Sequence, residues 1–460
     1  MMKAPLKRGV FSGGTMFRFR DGFYADVRIE DRFTTNISYK NGVAEQCGDL
    51  REKKAFIRVF DGRMWYYAST DNVDSVQQEL DNLYGYASPC ADIENNPVVR
   101  KFQVNRDTAM RFENDCVANV PLSEKRAYLE NTAAKFRSEY CSLVIAVYLD
   151  RYSVYEFYSS KGAEIRYDFQ TSGAVFSMSF AKDKENFSDS IQKSGTRFDD
   201  LKVEDKEIDD FVKESENVLV NAKKLENPGV YPVVLAPIVT GVFAHESFGH
   251  KSEADFMLGD ETLAKEWAIG KKVSSELLSI VDSGTYPGSG YVPYDDEGTK
   301  CTCTYLIKDG VLAGRLHSAL TAASLDEELT GNARAINCGY EPIVRMTTTV
   351  IKGGESTVDE LIGGVKHGYY IKNCKHGSGM STFTIAPNAA YEIKDGMIGD
   401  PVKISVITGN VFETLGDIDG VANDETVLTF VTGGCGKMEQ FPLNVGLGGP
   451  HIRVRKMNVQ

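Results

Sequence analysis

Residues 230–256 read VYPVVLAPIVTGVFAHESFGHKSEADF, and the second half of the chain is understood outward from this stretch. VYPVVLA is a short β-branched run, expected as a strand buried on both faces. Pro237 then stands at the first position of a helix, where its missing N–H forfeits no hydrogen bond. The whole apolar run, Val230–Ala244, is too short to span a bilayer and holds Pro232 and Pro237. A buried strand entering a buried helix is therefore expected, and no membrane span.

The helix delivers His245, Glu246 and His250. In the zinc-peptidase pattern H-E-x-x-H, histidines four apart project from nearly one helix face and share an ion, while the glutamate takes a proton from water. Here the histidines are five apart. On a regular helix they diverge by about 140°, too far for one ion. A single π-bulge removes about 100° of rotation and restores the divergence of about 40° found at four-residue spacing. Gly249, just before His250, is an easy place for that distortion. The pattern thus predicts a distorted helix with Glu246 in the general-base position.

Zinc needs a third protein ligand. Glu253 and Asp255 follow within two turns, as ligands or as partners for histidine N–H groups. Cys435 lies between glycines in TGGCGKMEQFP. Cys374 stands next but one to His376 in NCKHGSG, expected as a glycine-rich loop. Spacing alone does not choose among Cys374, Cys435 and Glu253. Cys301 and Cys303 alternate along an expected strand and are read as packed thiols sharing one face.

The chain has 460 residues, 42% of them hydrophobic and 25% charged, with a formal net charge of −13. Such a length accommodates two or three domains. The acidic balance, with no long basic run, argues against a nucleic-acid groove. Nine scattered cysteines are an odd number without the spacing of a disulfide framework, which points to reduced thiols in a cytoplasmic protein. The opening MMKAPLKRGVFSGGTMFRFRDG is basic but lacks an apolar h-region and does not read as a signal peptide.

The first half alternates hydrophobic and polar residues around turn signals. FYADVRIE and TTNISYKNGVAEQ predict strands turning at Asn41-Gly42, and AFIRVFDGRMWYYAS predicts a hairpin at Asp61-Gly62. Helices are expected from about Asp71, capped near Ser69 or Thr70, and over SEKRAYLENTAAKFRSEY with Ser123 as cap. From Cys141 to Phe180, CSLVIAVYLD, SVYEFYSS, AEIRYDFQ and GAVFSMSFA predict a meander of short strands. A charged helix follows, and the turn cluster Asn227-Pro228-Gly229 divides residues 1–228 from 229–460. The fold class is α+β. An N-terminal α/β domain with an antiparallel sheet flanked by helices precedes a mainly antiparallel β domain, a curved sheet or partial barrel, that carries the metal-binding helix.

H-E-x-x-x-H followed by KSEADF, then DDEGT, ELTGNARA, RMTTTVIKGGES and the terminal GGCGK…P, resembles the TldD/PmbA family in the same order. These are metallopeptidase-like proteins once described as modulators of DNA gyrase. The N-terminal AFIRVFDGRMWYYASTDNVDSVQQEL also fits, so the resemblance spans nearly the whole chain. The catalytic TldD type keeps two histidines and a cysteine that the PmbA (TldE) type lacks, and this sequence keeps all three. The resemblance implies zinc held by His245, His250 and Cys435, with Glu246 as general base. It further implies a PmbA/TldE-type partner subunit, with a homodimer as the other possibility, and cleavage of peptides or unfolded polypeptides. Two departures stand out: NCKHGSGM carries His376 where the family is richer in glycine, and SFG replaces the familiar AVG between the histidines. The rival reading is a non-catalytic peptide-binding or regulatory protein whose metal is structural, which four protein ligands would favour.

Overall fold

The computed structural model describes residues 16–460, so most of the basic opening segment lies outside the described residues. The N-terminal half is built on long antiparallel strands. β1 (Tyr24–Lys40) and β2 (Val43–Phe60) turn at Asn41-Gly42, both with positive φ, 48° and 77°. This is the two-residue hairpin whose twist matches that of its strands. After β3 (Trp65–Thr70) come α1 (Val76–Tyr86), β4 (Arg106–Ala109) and α2 (Leu122–Ala133). β5 (Cys141–Ser159), β6 (Glu164–Lys182), β7 (Glu185–Gly195) and α3 (Asp205–Asn221) complete this half. The sheet runs β3-β2-β1-β5-β6, and β6 also pairs with β4, in parallel, and with β7.

Alternation along β1 assigns its two faces. Odd-numbered Ala25, Val27 and Ile29 pack with Val76 and Leu80 of α1, and Ile37 and Tyr39 join the cluster containing Leu129, Ile208 and Val212 of α2 and α3. Even-numbered positions turn toward the C-terminal half. Arg28 pairs with Asp296 at 2.9 Å, and Asp26 accepts from Arg58, which reaches Glu297 at 3.1 Å.

Two expectations change here. The runs between Cys141 and Phe180 form two 19-residue strands rather than four short ones. The break expected between CSLVIAVYLD and SVYEFYSS, at Arg151-Tyr152, lies inside β5, where Arg151 pairs with Glu30 of β1 at 2.6 Å. A tertiary ion pair removes the reason for a turn. Ser123 lies within the first turn of α2, and Pro121 precedes the helix in the cap position.

The C-terminal half continues with β8 (Gly229–Leu235), α4 (Pro237–Ala244), β9 (Thr348–Ile351), β10 (His367–Gly379), β11 (Thr382–Lys394) and β12 (Ile407–Asn410). The hairpin β13 (Cys435–Lys437) and β14 (Gln440–Leu443) precedes β15 (Gly446–Gly449) and β16 (Ile452–Val459). β10 pairs with β8, β8 with β16, β16 with β12, β12 with β11, and β11 returns to β10. The ladder closes into a small barrel, all antiparallel except β8 with β10. A second sheet contains Ile280–Ser283, β9, β15 and Thr426–Thr429. α4 lies between the two, with Phe243 against Phe383 of β11 on one side and Gly241 against Leu447 of β15 on the other. The α+β architecture with antiparallel sheets and a partial barrel is as expected.

Segments read as loops or shared faces differ in places. NCKHGSG is strand, part of β10. Cys301 is buried and its Sγ–H donates to the Gly331 carbonyl at 2.8 Å, whereas Cys303 opens the next strand and is exposed. The two thiols do not share a face. Among the described residues no helix is long and apolar enough to cross a membrane.

Candidate metal centre

α4 does not end at Ala244. The next turn is π-helical, and the amide of His250 donates to the carbonyl of His245, five residues back. This is the inserted residue that the five-residue spacing requires. Gly249 makes the turn possible by close approach: a Cβ there would lie 1.8 Å from the Met346 sulfur. The rings of His245 and His250 sit with centroids 5.1 Å apart.

Cys435 reaches the same point from β13, 185 residues away in sequence, with Sγ 3.5 Å from His250 Nε2. The donor atoms of His245, His250 and Cys435 all lie within 4.8 Å of one another, and all three side chains are buried. Of the three candidate partners for the histidines, only Cys435 joins them as a donor. Glu253 is fully buried on the other side of the His250 ring, with Oε2 3.2 Å from Nδ1. Cys374 lines the neighbouring cavity outside the cluster. Asp255, expected as a possible histidine partner, instead accepts from Lys437 Nζ at 2.7 and 2.8 Å.

The electrostatics follow from packing a thiol between two imidazoles. Burial raises the Cys435 thiol, but the charges and hydrogen bonds of His245 and His250 outweigh it and bring it down to about 5. Burial lowers His250, yet its contacts with Cys435 and Glu253 carry it up to about 10. Burial pushes up Cys374, to about 12, and also raises Glu246 above the usual carboxylate range. A thiol of lowered pKa packed between two imidazoles is a donor set that exchanges its protons for a cation. Two nitrogens and one soft sulfur suit zinc. His245 Nδ1 is also buried without a hydrogen-bond partner among the described residues, so the polypeptide does not satisfy the site by itself. The residues present therefore fit a metal ion.

Glu246 is half-buried with Oε2 4.0 Å from His250 Nε2. It lines, with His245, Cys435 and the exposed His376, a cavity of about 310 Å³. That cavity shares Ile238, Cys374, Lys375 and Phe430 with a cleft of about 1030 Å³ running between β7, α3 and the C-terminal strands. Sequence reasoning passed over Lys437 and Arg345. Lys437 is two positions from Cys435 on a strand and so shares its face, a signal readable in GGCGK. Arg345, fully buried, donates to the Cys435 carbonyl at 2.8 Å, and nothing in its sequence context announces that contact.

Comparison with known proteins gives the family. Residues 228–460 match the PmbA/TldA metallopeptidase C-terminal domain and residues 25–84 match PmbA/TldA metallopeptidase domain 1. A metalloprotease of Synechocystis sp. is 32% identical, over 95% of this chain and 94% of its own length. A protein of Saccharolobus solfataricus named zinc metalloprotease TldD homolog is 29% identical, over 95% of this chain and 96% of its own. The crystal structure of TldE from Thermococcus kodakarensis shares the fold, with a TM-score of 0.74 at 15% identity, covering 95% of this chain and 96% of that one.

Proposed function

The chain belongs to the PmbA/TldD metallopeptidase family, and from that premise we propose that it is a zinc-dependent hydrolase of peptides or unfolded polypeptides. In this reading His245, His250 and Cys435 hold the ion and Glu246 is the general base. The observation that carries it is the convergence of three buried donors, two of which, His245 and Cys435, line one cavity together with Glu246. Zinc, when bound, supplies Lewis acidity toward a water and a peptide carbonyl. Glu246 takes the proton of the attacking water and passes it to the leaving amine. The 310 Å³ cavity holds the residues flanking the cleaved bond, and the cleft continuous with it takes more of an extended chain. His376 is a substrate contact on the cavity wall.

Glu253 engages Nδ1 of His250, on the far side of the ring from Cys435. Three donors rather than four support an open, catalytic position over a closed structural site. A TldE-type subunit is the proposed partner, supported by the likeness to a protein of that name, with a homodimer as the alternative. All nine cysteines are unpaired, which supports a reducing, cytoplasmic setting. The net charge of −13 supports a function without direct nucleic-acid contact. A division at 228/229 separates the N-terminal unit from the metal-bearing one, supported by sheets whose main ladders stay within each half.

The test replaces Glu246 with Gln and measures cleavage of an unstructured peptide, with a TldE-type subunit present. Turnover is expected to fall by about 10²–10⁴-fold while zinc content stays that of the parent. Unchanged turnover rules out the general-base role.

A further inference from the structure

We propose that Lys437 is a positioning residue for the metal centre, holding Glu253 so that His250 presents Nε2 to the ion and holding the Cys435 hairpin against the histidine turn. The inference rests on the proposed metal site and adds to it a residue outside the ligand set.

The hairpin β13–β14 pairs only with itself among the described strands. A lone two-stranded hairpin is marginal in water, so its placement depends on side-chain contacts. Gln440, which donates to the Glu341 carbonyl at 2.9 Å and accepts from the Ile336 amide at 3.1 Å, supplies some of them, and two buried cations supply the rest. Arg345 donates to the carbonyls of Cys435 and Gln440, at 2.8 and 3.3 Å. Lys437 Nζ lies 3.0 Å from Glu253 Oε2, donates to both oxygens of Asp255 and to the Val344 carbonyl at 2.8 Å, and its side chain is 3% exposed.

Lys437 therefore joins three segments: the one that carries Cys435, the one that follows His250, and the one that leads to Met346 beneath Gly249. Its contact with Glu253 has a chemical consequence. Glu253 Oε2 faces both Lys437 Nζ and His250 Nδ1. A carboxylate so placed accepts a hydrogen bond from Nδ1–H, so the neutral ring that binds a metal has its lone pair at Nε2, on the Cys435 side. Partners of this kind fix the tautomer and orientation of a metal-binding histidine. Without Lys437 the Glu253 carboxylate would be buried with only the imidazole to balance it, and it would be free to turn.

The experiment measures zinc affinity of the full chain by chelator competition, with the thiolate-to-metal absorption of the cobalt form as a second readout. Lys437→Met and Glu253→Gln are each expected to weaken zinc binding by about 10–100-fold and to shift the cobalt spectrum. The double variant is expected to be no weaker than the worse single one, because both act through one contact. Asp255→Asn, which touches Lys437 but not His250, is expected to stay within about threefold of the parent, an effect below that of an outer partner of a ligand. Parental affinity in Glu253→Gln overturns the proposal even where Lys437→Met fails to fold, and so do additive losses in the double variant. A parent chain that binds no zinc instead overturns the metal reading itself.

Discussion

In the N-terminal half, Lys125 reaches from α2 to Asp150 of β5 at 2.5 Å and to Thr35 of β1 at 2.9 Å. In the C-terminal half, Lys437 reaches from β13 to Glu253 and Asp255. Both ammonium groups are removed from water and both are paired, as buried charges must be. Their surroundings differ. Asp150 also accepts from the Thr35 amide and from the Tyr148 hydroxyl, within a sheet whose register a continuous backbone ladder already sets. Lys437 bridges segments that share no ladder with its hairpin. The same chemistry thus secures a helix to a finished sheet in one place, and in the other ties the strand of Cys435 to the segment that follows His250.

That contrast can be broken most sharply at the centre itself. Cys435→Ala is expected to weaken zinc binding by more than the roughly hundredfold ceiling for an outer partner, read as zinc affinity per folded molecule. Full zinc occupancy in this variant would return Cys374 or Glu253 to consideration as the third ligand.

Next in size is Lys125→Met, which leaves Asp150 buried without its cation. Its expected cost is about 3–5 kcal/mol of stability, read by denaturant unfolding, with zinc affinity per folded molecule unchanged. A loss of zinc affinity there would erase the distinction between the two lysines. The smallest effect belongs to Gly42→Ala. A methyl group meets nothing within 4 Å, but the φ of +77° is strained for any L side chain. About 1–2 kcal/mol of stability should be lost, with the metal centre untouched, and chemical denaturation of the metal-free protein measures it.

Much of the local structure was legible because its causes are local. Asn41 and Gly42 accept positive φ, so the first hairpin could be placed to the residue. The five-residue spacing of His245 and His250 demanded one extra residue in the helix, and the π turn supplies it. Errors arose where a distant partner overrode a local signal. Arg151-Tyr152 looked like a break between strands until the pairing of Arg151 with Glu30 accounted for it. Asp255 looked like a histidine partner, but Lys437 stands closer. The glycines of NCKHGSG suggested a loop, yet pairing with β11 makes the segment a strand.

What the sequence determined alone was the α+β class, the hairpin turns, and a histidine pair that only a bulged helix can bring together. Those follow from side-chain period, turn chemistry and helical rotation, all written over a few consecutive residues. Only the tertiary structure decided that Cys435, rather than Cys374 or Glu253, forms a three-donor cluster with the histidines, that Arg345 donates to its carbonyl, and that Lys437 reaches Glu253 behind His250. Spacing along the chain carries no direction in space. Convergence across 185 residues depends on how a barrel, a second sheet and one short hairpin pack around α4.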